Sequence, residues 1–159
     1  MTDPAYPDSI RELYESEIFG EAWALALIKV AKNDRDRSHF DTLLQLETET
    51  KARLRPLLYK YNMTLLEDMD LSEVDDAVAD YQNATSFAEF ATVTKPTVEA
   101  FLVRFQQIDS VAPPEDKAVT QSMIQHETAI LTWLDLESAG PNEASLDAMI
   151  AELQYPLEP

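Results

Sequence analysis

The chain contains no cysteine. That excludes a disulfide framework, a thiol nucleophile and a thiolate metal site. Only two glycines occur in 159 residues, which excludes a glycine-rich phosphate loop and leaves too few turn residues for a typical sheet protein. Basic residues are scarce: 12 Lys and Arg stand against 30 Asp and Glu, a formal charge of −18. A surface of that sign repels phosphate, which argues against nucleic acid and anionic membranes as partners. No stretch approaches the ~18 consecutive apolar residues of a membrane span. The segment MTDPAYPDSI has neither the basic nor the apolar part of a secretion signal, so a cytoplasmic location is expected. The hydrophobic fraction of 45% is enough for a core, and the length predicts one domain over residues 1–159.

Apolar residues recur with helical period, at about 100° per residue. The first helix follows Ser9-x-x-Glu12, which reads as a capping box with Pro7 ahead of it, and runs to about Lys32. Residues 33–37, NDRDR, read as a polar break, and Ser38-x-x-Asp41 as the next capping signal for a helix to about Asn62. Pro56 should bend that helix. Ser72-x-x-Asp75 starts a short helix inside an acidic stretch, EDMDLSEVDD at 67–76. That stretch lacks the glycine and spacing of a calcium loop and reads as a solvated face. A third long helix spans roughly Ser86 to Ile108 with Pro96 inside it, a fourth starts near Glu115, Gly140-Pro141 ends it, and a short one follows from Ser145.

Link lengths set the topology. About five residues separate the first two long helices and the last two, so each pair should form an antiparallel hairpin. The middle link is about twenty residues, enough to traverse a helix of roughly 35 Å, which a five-residue link is not. The expected fold is all-α: two hairpins, a long crossover bearing a short helix, and a short C-terminal helix.

Carboxylates interrupt the apolar stripes. Ile10, Leu13, Tyr14, Ala24, Leu25, Ile28 and Ala31 define the inward face of the first helix, with Glu17 and Glu21 in its middle. Phe40, Leu43, Leu46, Leu54, Leu57, Leu58 and Tyr61 define that of the second, with Glu47 and Thr50 along it. An ionised carboxylate in a core costs several kcal/mol unless it is paired, hydrogen-bonded or bound to metal. His126 and Glu127 flank the fourth-helix stripe, as does Glu137, and Arg53 or Arg104 are candidate inward partners. His39, at a helix start, reads as a surface residue. Phe19, Trp23, Leu27 and Val30 form a second apolar arc on the first helix, which suggests a homodimer contact.

Two hairpins joined by one long crossover, with glutamates facing inward, resemble the ferritin-like superfamily of four-helix-bundle carboxylate proteins over about residues 9–140. The resemblance implies a centre for iron or manganese, with Glu17, Glu21, Glu47, His126 and Glu127 as metal ligands. In that superfamily, two helices each carry a Glu-x-x-His motif. Here the residue three beyond Glu47 is Thr50, and the residue three beyond Glu127 is Ile130. Glu99 lies off its helix's apolar stripe. The leading expectation is therefore a non-catalytic ferritin-like bundle whose acidic core is proton-sharing or Arg-paired, acting by partner or small-ligand binding. The alternative is a ferritin-like metalloprotein, an oxidase, oxygenase or metal-handling protein, with a non-standard Glu/His site. A metal-free general base is a third option.

Overall fold

The alternation of apolar and acidic residues along each long helix is resolved in space as layers. The structure, a computed structural model, describes residues 5–64 and 68–157. Glu67, the first residue of the acidic stretch, lies outside them. The described residues form six α-helices and no strand: α1 (Tyr6–Val30), α2 (Asp34–Lys60), α3 (Ser72–Asn83), α4 (Phe87–Val111), α5 (Lys117–Ser138) and α6 (Asp147–Glu152). A 3₁₀ turn at Pro114–Asp116 leads into α5. No helix among the described residues is long and apolar enough to cross a membrane.

Two helix starts differ from the sequence reading. α1 begins at Tyr6 with Pro7 in its first turn, so Ser9 lies inside it. α2 begins at Asp34, because the Asn33 side chain accepts from the Asp36 amide at 2.9 Å. The supposed polar break is thus a first helical turn whose acids suit the helix N-terminus. Pro56 and Pro96 both sit inside helices that continue past them. Gly140, with φ of +120°, ends α5 as expected.

α1 packs chiefly on α2, and α4 on α5. Ion pairs fix the directions. Arg35 meets Glu137 and Lys60 meets Asp116, so α2 and α5 run antiparallel. Glu12–Arg104 and the Trp23–Phe90 ring pair do the same for α1 and α4. α2 and α4 therefore run in the same direction, and the link carrying α3 crosses from one end of the helices to the other.

α3 lies against α1, with Val74, Val78 and Tyr81 buried. The Tyr81 hydroxyl donates to Asp36 at 2.6 Å and accepts from the Lys32 amide at 2.8 Å, fastening the crossover to the α1–α2 turn. This packing takes up the second apolar arc of α1 within the chain. Trp23 and Leu27 are buried, and Phe19 and Val30 pack against the same cluster. Leu25, read as inward, is exposed instead. Within the chain the arc is part of the core, with Phe19 and Val30 partly buried.

The core has two apolar halves. One contains Trp23, Leu27, Phe40, Leu43, Leu46, Phe90, Ile130 and Trp133. The other contains Ile10, Leu13, Tyr14, Leu54, Leu58, Phe105, Ile108 and Met123. α1, α2, α4 and α5 all contribute to both halves. Between the halves, α1 places Glu17 and Gly20, α2 places Glu47 and Thr50, and α5 places His126 and Glu127.

Candidate metal centre

Glu17, Glu47 and His126 are 1%, 5% and 1% exposed, and each offers one ligand atom within 4.8 Å of the others. The imidazole Nε2 lies 3.4 Å from a Glu47 oxygen, 3.6 Å from a Glu17 oxygen and 3.7 Å from a Glu127 oxygen. These separations exceed a good N–H···O hydrogen bond. They are close to the roughly 3.4 Å between two donors that each sit 2.0–2.2 Å from one tetrahedral ion.

Thr50 sets the ring's orientation. Its hydroxyl donates to the Leu46 carbonyl at 2.8 Å and lies 2.9 Å from His126 Nδ1. A hydroxyl has one proton, so Nδ1 must be the donor in the second contact. In the neutral ring that leaves Nε2 as a bare lone pair aimed at three carboxyl groups. Metal-bound histidines are held in the same way, with the other ring nitrogen donating to a neighbouring oxygen.

Burial governs the protonation. It holds Glu17 well above the usual carboxylate range, and the nearby Glu47 adds to the effect. Burial likewise pushes Glu127 up to about 8; His126 opposes that rise and Glu47 supports it. Burial pulls His126 down, but the charges of Glu47 and Glu127 outweigh it and leave the ring raised. The cluster thus holds protons at neutral pH, which a divalent cation would replace. One acceptor is left over: Glu17 Oε2 is buried without a hydrogen-bond partner.

Gly20 makes the space. A Cβ built there would lie 2.5 Å from the Glu47 carboxyl carbon and 2.5–2.7 Å from its oxygens. A glycine inside a helix costs about 1 kcal/mol relative to alanine, and the close approach of α1 to Glu47 is what that cost makes room for. Gly20→Ala should keep its fold, with a melting temperature within a few degrees of wild type. The propensity gain offsets the displacement of one flexible side chain. Because Glu47 must swing away, metal affinity should fall at least tenfold by isothermal titration. Unchanged affinity would show that Glu47 is not held where Gly20 admits it.

The other residues singled out in the sequence go elsewhere. Glu21 is half-buried and pairs with Lys51 at 2.8 Å and with the Thr48 hydroxyl at 2.6 Å, outside the cluster. Of the two first-helix glutamates, Glu17 is the inward one. Arg53 donates to the Glu152 carbonyl and Arg104 forks onto Glu12, so neither pairs with the central carboxylates. Glu137 is buried but bound by Arg35 and Ser145. Glu99 is exposed beside Lys95. His39 is not a surface residue: it is 5% exposed, and its Nδ1 accepts from Trp133 Nε1 at 2.9 Å. Burial, and next the charge of Arg35, lower its pKa, which suits a neutral acceptor ring.

Sequence reasoning missed Gly20 and the Thr50–His126 contact. The first had a signal: it is one of two glycines, set in the middle of a helix three residues after a buried glutamate. The second had none, since nothing local pairs residues 50 and 126.

A cavity of about 310 Å³ adjoins the centre, with Glu17, Glu47 and Glu127 in its lining. Comparison with protein-family models, curated proteins and solved structures gives no match to this chain.

Proposed function

We propose that this chain is a ferritin-like metalloprotein that binds one divalent ion, iron(II) or manganese(II), through Glu17, Glu47 and His126, with Glu127 beside them. The observation that carries the reading is the placement of His126 Nε2, which Thr50 holds facing carboxyl oxygens from α1, α2 and α5 at 3.4–3.7 Å, separations suited to ligands of one ion. The orphaned Glu17 Oε2 and the space at Gly20 support it. Three carboxylates and one imidazole are a donor set for a borderline or hard divalent ion. The ferritin-like arrangement is supported by the antiparallel neighbours, the long crossover and the central polar layer.

The donor set also explains the departures from Glu-x-x-His. The nitrogen ligand comes from α5 one residue before Glu127, and Thr50 orients it where a histidine ligand would otherwise stand. On the other side, Ile130 is buried among apolar residues and Glu99 faces solvent, which leaves ligands for one ion. Bound there, the ion would supply Lewis-acid or redox chemistry to a molecule in the adjoining cavity. The chain's own residues position His126, exclude bulk water and exchange protons at Glu17 and Glu127. An Arg-paired core is disfavoured because neither candidate arginine pairs with the central carboxylates. Against a core that only shares protons, the reading rests on the placement of His126 Nε2 and the space at Gly20.

The test is elemental mass spectrometry on protein made in medium supplemented with iron and manganese. About one equivalent per chain is expected, with loss of that metal in the Glu47→Ala/His126→Ala double variant. Metal at a hundredfold excess over Kd should stabilise the wild type by about 2.7 kcal/mol, roughly 5–10 °C for a chain of this size. A metal-free wild type whose melting temperature ignores added metal would end the proposal.

A further inference from the structure

We infer that the cavity beside the acidic centre binds a small amine: an apolar body carrying one ammonium group. The inference deepens the metal reading, since that centre forms the cavity floor, but its own support lies in the walls and mouth. The cavity measures about 310 Å³, about twice the ~150 Å³ apolar void that holds one benzene. Its walls include Phe19, Trp23, Phe101 and Phe105. Four aromatic side chains suit an apolar body and also favour a cation near their faces.

Charge decides which head group enters. α3 turns Glu73, Asp76 and Asp80 toward the cavity, with the small Ala77 between them. Their spacing of three to four residues puts all of them on one helix face. Their side chains are exposed, and none forms an ion pair with a cation among the described residues. The opposite face of α3 holds Val74, Val78 and Tyr81 in the core, so the acidic face is held over the mouth. Among the described residues, no Lys, Arg or His lines the cavity. An anionic head group would meet three carboxylates at the mouth. A neutral one would leave the mouth charges without a counterpart. At the mouth, an ammonium group meets a complementary potential. The acidic stretch that reads as a merely solvated face is thereby also the selective mouth of a pocket.

The test is titration calorimetry of the full chain with three probes of one shape: 2-phenylethylammonium, 2-phenylethanol and 3-phenylpropionate. Each is measured on chelator-treated and on metal-supplemented protein. The ammonium should bind at least tenfold more tightly than the alcohol, and the carboxylate should give no measurable heat. Glu73→Gln/Asp76→Asn/Asp80→Asn alters only exposed side chains, so folding is retained, and it should weaken the ammonium about tenfold. Thr97→Trp, at an exposed position in the lining, should block all binding. Equal affinity for ammonium and alcohol, tighter binding of the carboxylate, no ammonium binding in either state, or indifference to the triple variant would each overturn the inference. Amine selectivity in a protein that takes no metal would sink only the metal reading. Metal uptake without amine selectivity would sink only this one.

Discussion

Glu17→Gln is expected to make the metal-free protein more stable at pH 8 and to abolish its response to metal. Glu17 is 1% exposed with one oxygen unpartnered. Burial, with the Glu47 charge behind it, holds its pKa well above that of the unfolded chain. For an acid with a raised folded pKa, the sign runs one way. Below the unfolded value of about 4.5 the group is protonated in both states and has no effect on the pH dependence of stability. Above it, the folded state must retain a proton that the unfolded chain gives up, and stability falls with rising pH until the folded pKa is passed. Each such group costs at most about 1.4 kcal/mol per pH unit across that window. Glu127, raised to about 8, behaves alike between pH 4.5 and 8.

The amide introduced by Glu17→Gln imitates the protonated acid at every pH. The variant's advantage over wild type should therefore be near zero at pH 4.5 and grow toward pH 8, by at most about 1.4 kcal/mol per pH unit. Glu21 and Glu137, whose pKa values are lowered by Lys51 and Arg35 against the pull of burial, lose their contribution only as pH falls through those lowered values. They do so in both proteins, so the part of the difference between the two melting curves that grows with pH reports Glu17 together with its coupling to Glu47 and Glu127. Thermal melts in chelator at pH 4.5, 6 and 8, repeated with metal at pH 8, check this. A variant less stable than wild type at pH 8, or one still stabilised by metal, contradicts the site as described. A gain in stability with loss of binding is the signature of a carboxylate kept for function although it weakens the fold.

Trp133→Ala should have the largest effect on stability, a loss of about 3–5 kcal/mol. Trp133 is fully buried. Its ring meets Phe87 edge-on at 5.9 Å and lies 6.1 Å from His39. Its indole N–H is the donor to His39 Nδ1, so truncation opens a cavity and also orphans a buried acceptor. Domains of this size are stable by only about 5–15 kcal/mol, and the melting temperature should fall by roughly 10 °C or more. Trp133→Phe keeps a ring and loses the hydrogen bond, and should cost about half as much. Metal stoichiometry of the folded fraction should be unchanged in both variants, because Trp133 belongs to one apolar half of the core and not to the polar layer. A loss below about 1 kcal/mol for the alanine variant, read by urea titration, would mean that the half-core can refill the space.

The particular helices show which features were local. The 3.6-residue stripes of α1, α2, α4 and α5 marked which segments are helical, because burying one face of a helix needs only residues three and four apart. Gly140, and the contrast between short and long links, were equally readable. Helix starts were not: Asn33 caps α2 well before the repeat becomes apolar. The face of α1 beyond Gly20 was also misjudged, because α3 covers it from a second side and draws Trp23 and Leu27 inward while Leu25 turns out. His39 looked like a surface residue because Trp133, its partner, lies 94 residues away.

An acidic, all-helical chain with carboxylates where apolar residues belong was already written in the order of its residues, since composition and periodicity are local properties. Three outcomes came only with the folded chain: Glu17 and not Glu21 turns to the centre, Thr50 orients His126, and α3 lays an acidic face over a cavity. They depend on distances between side chains far apart in the chain, and only the packing of one helix on another sets such distances.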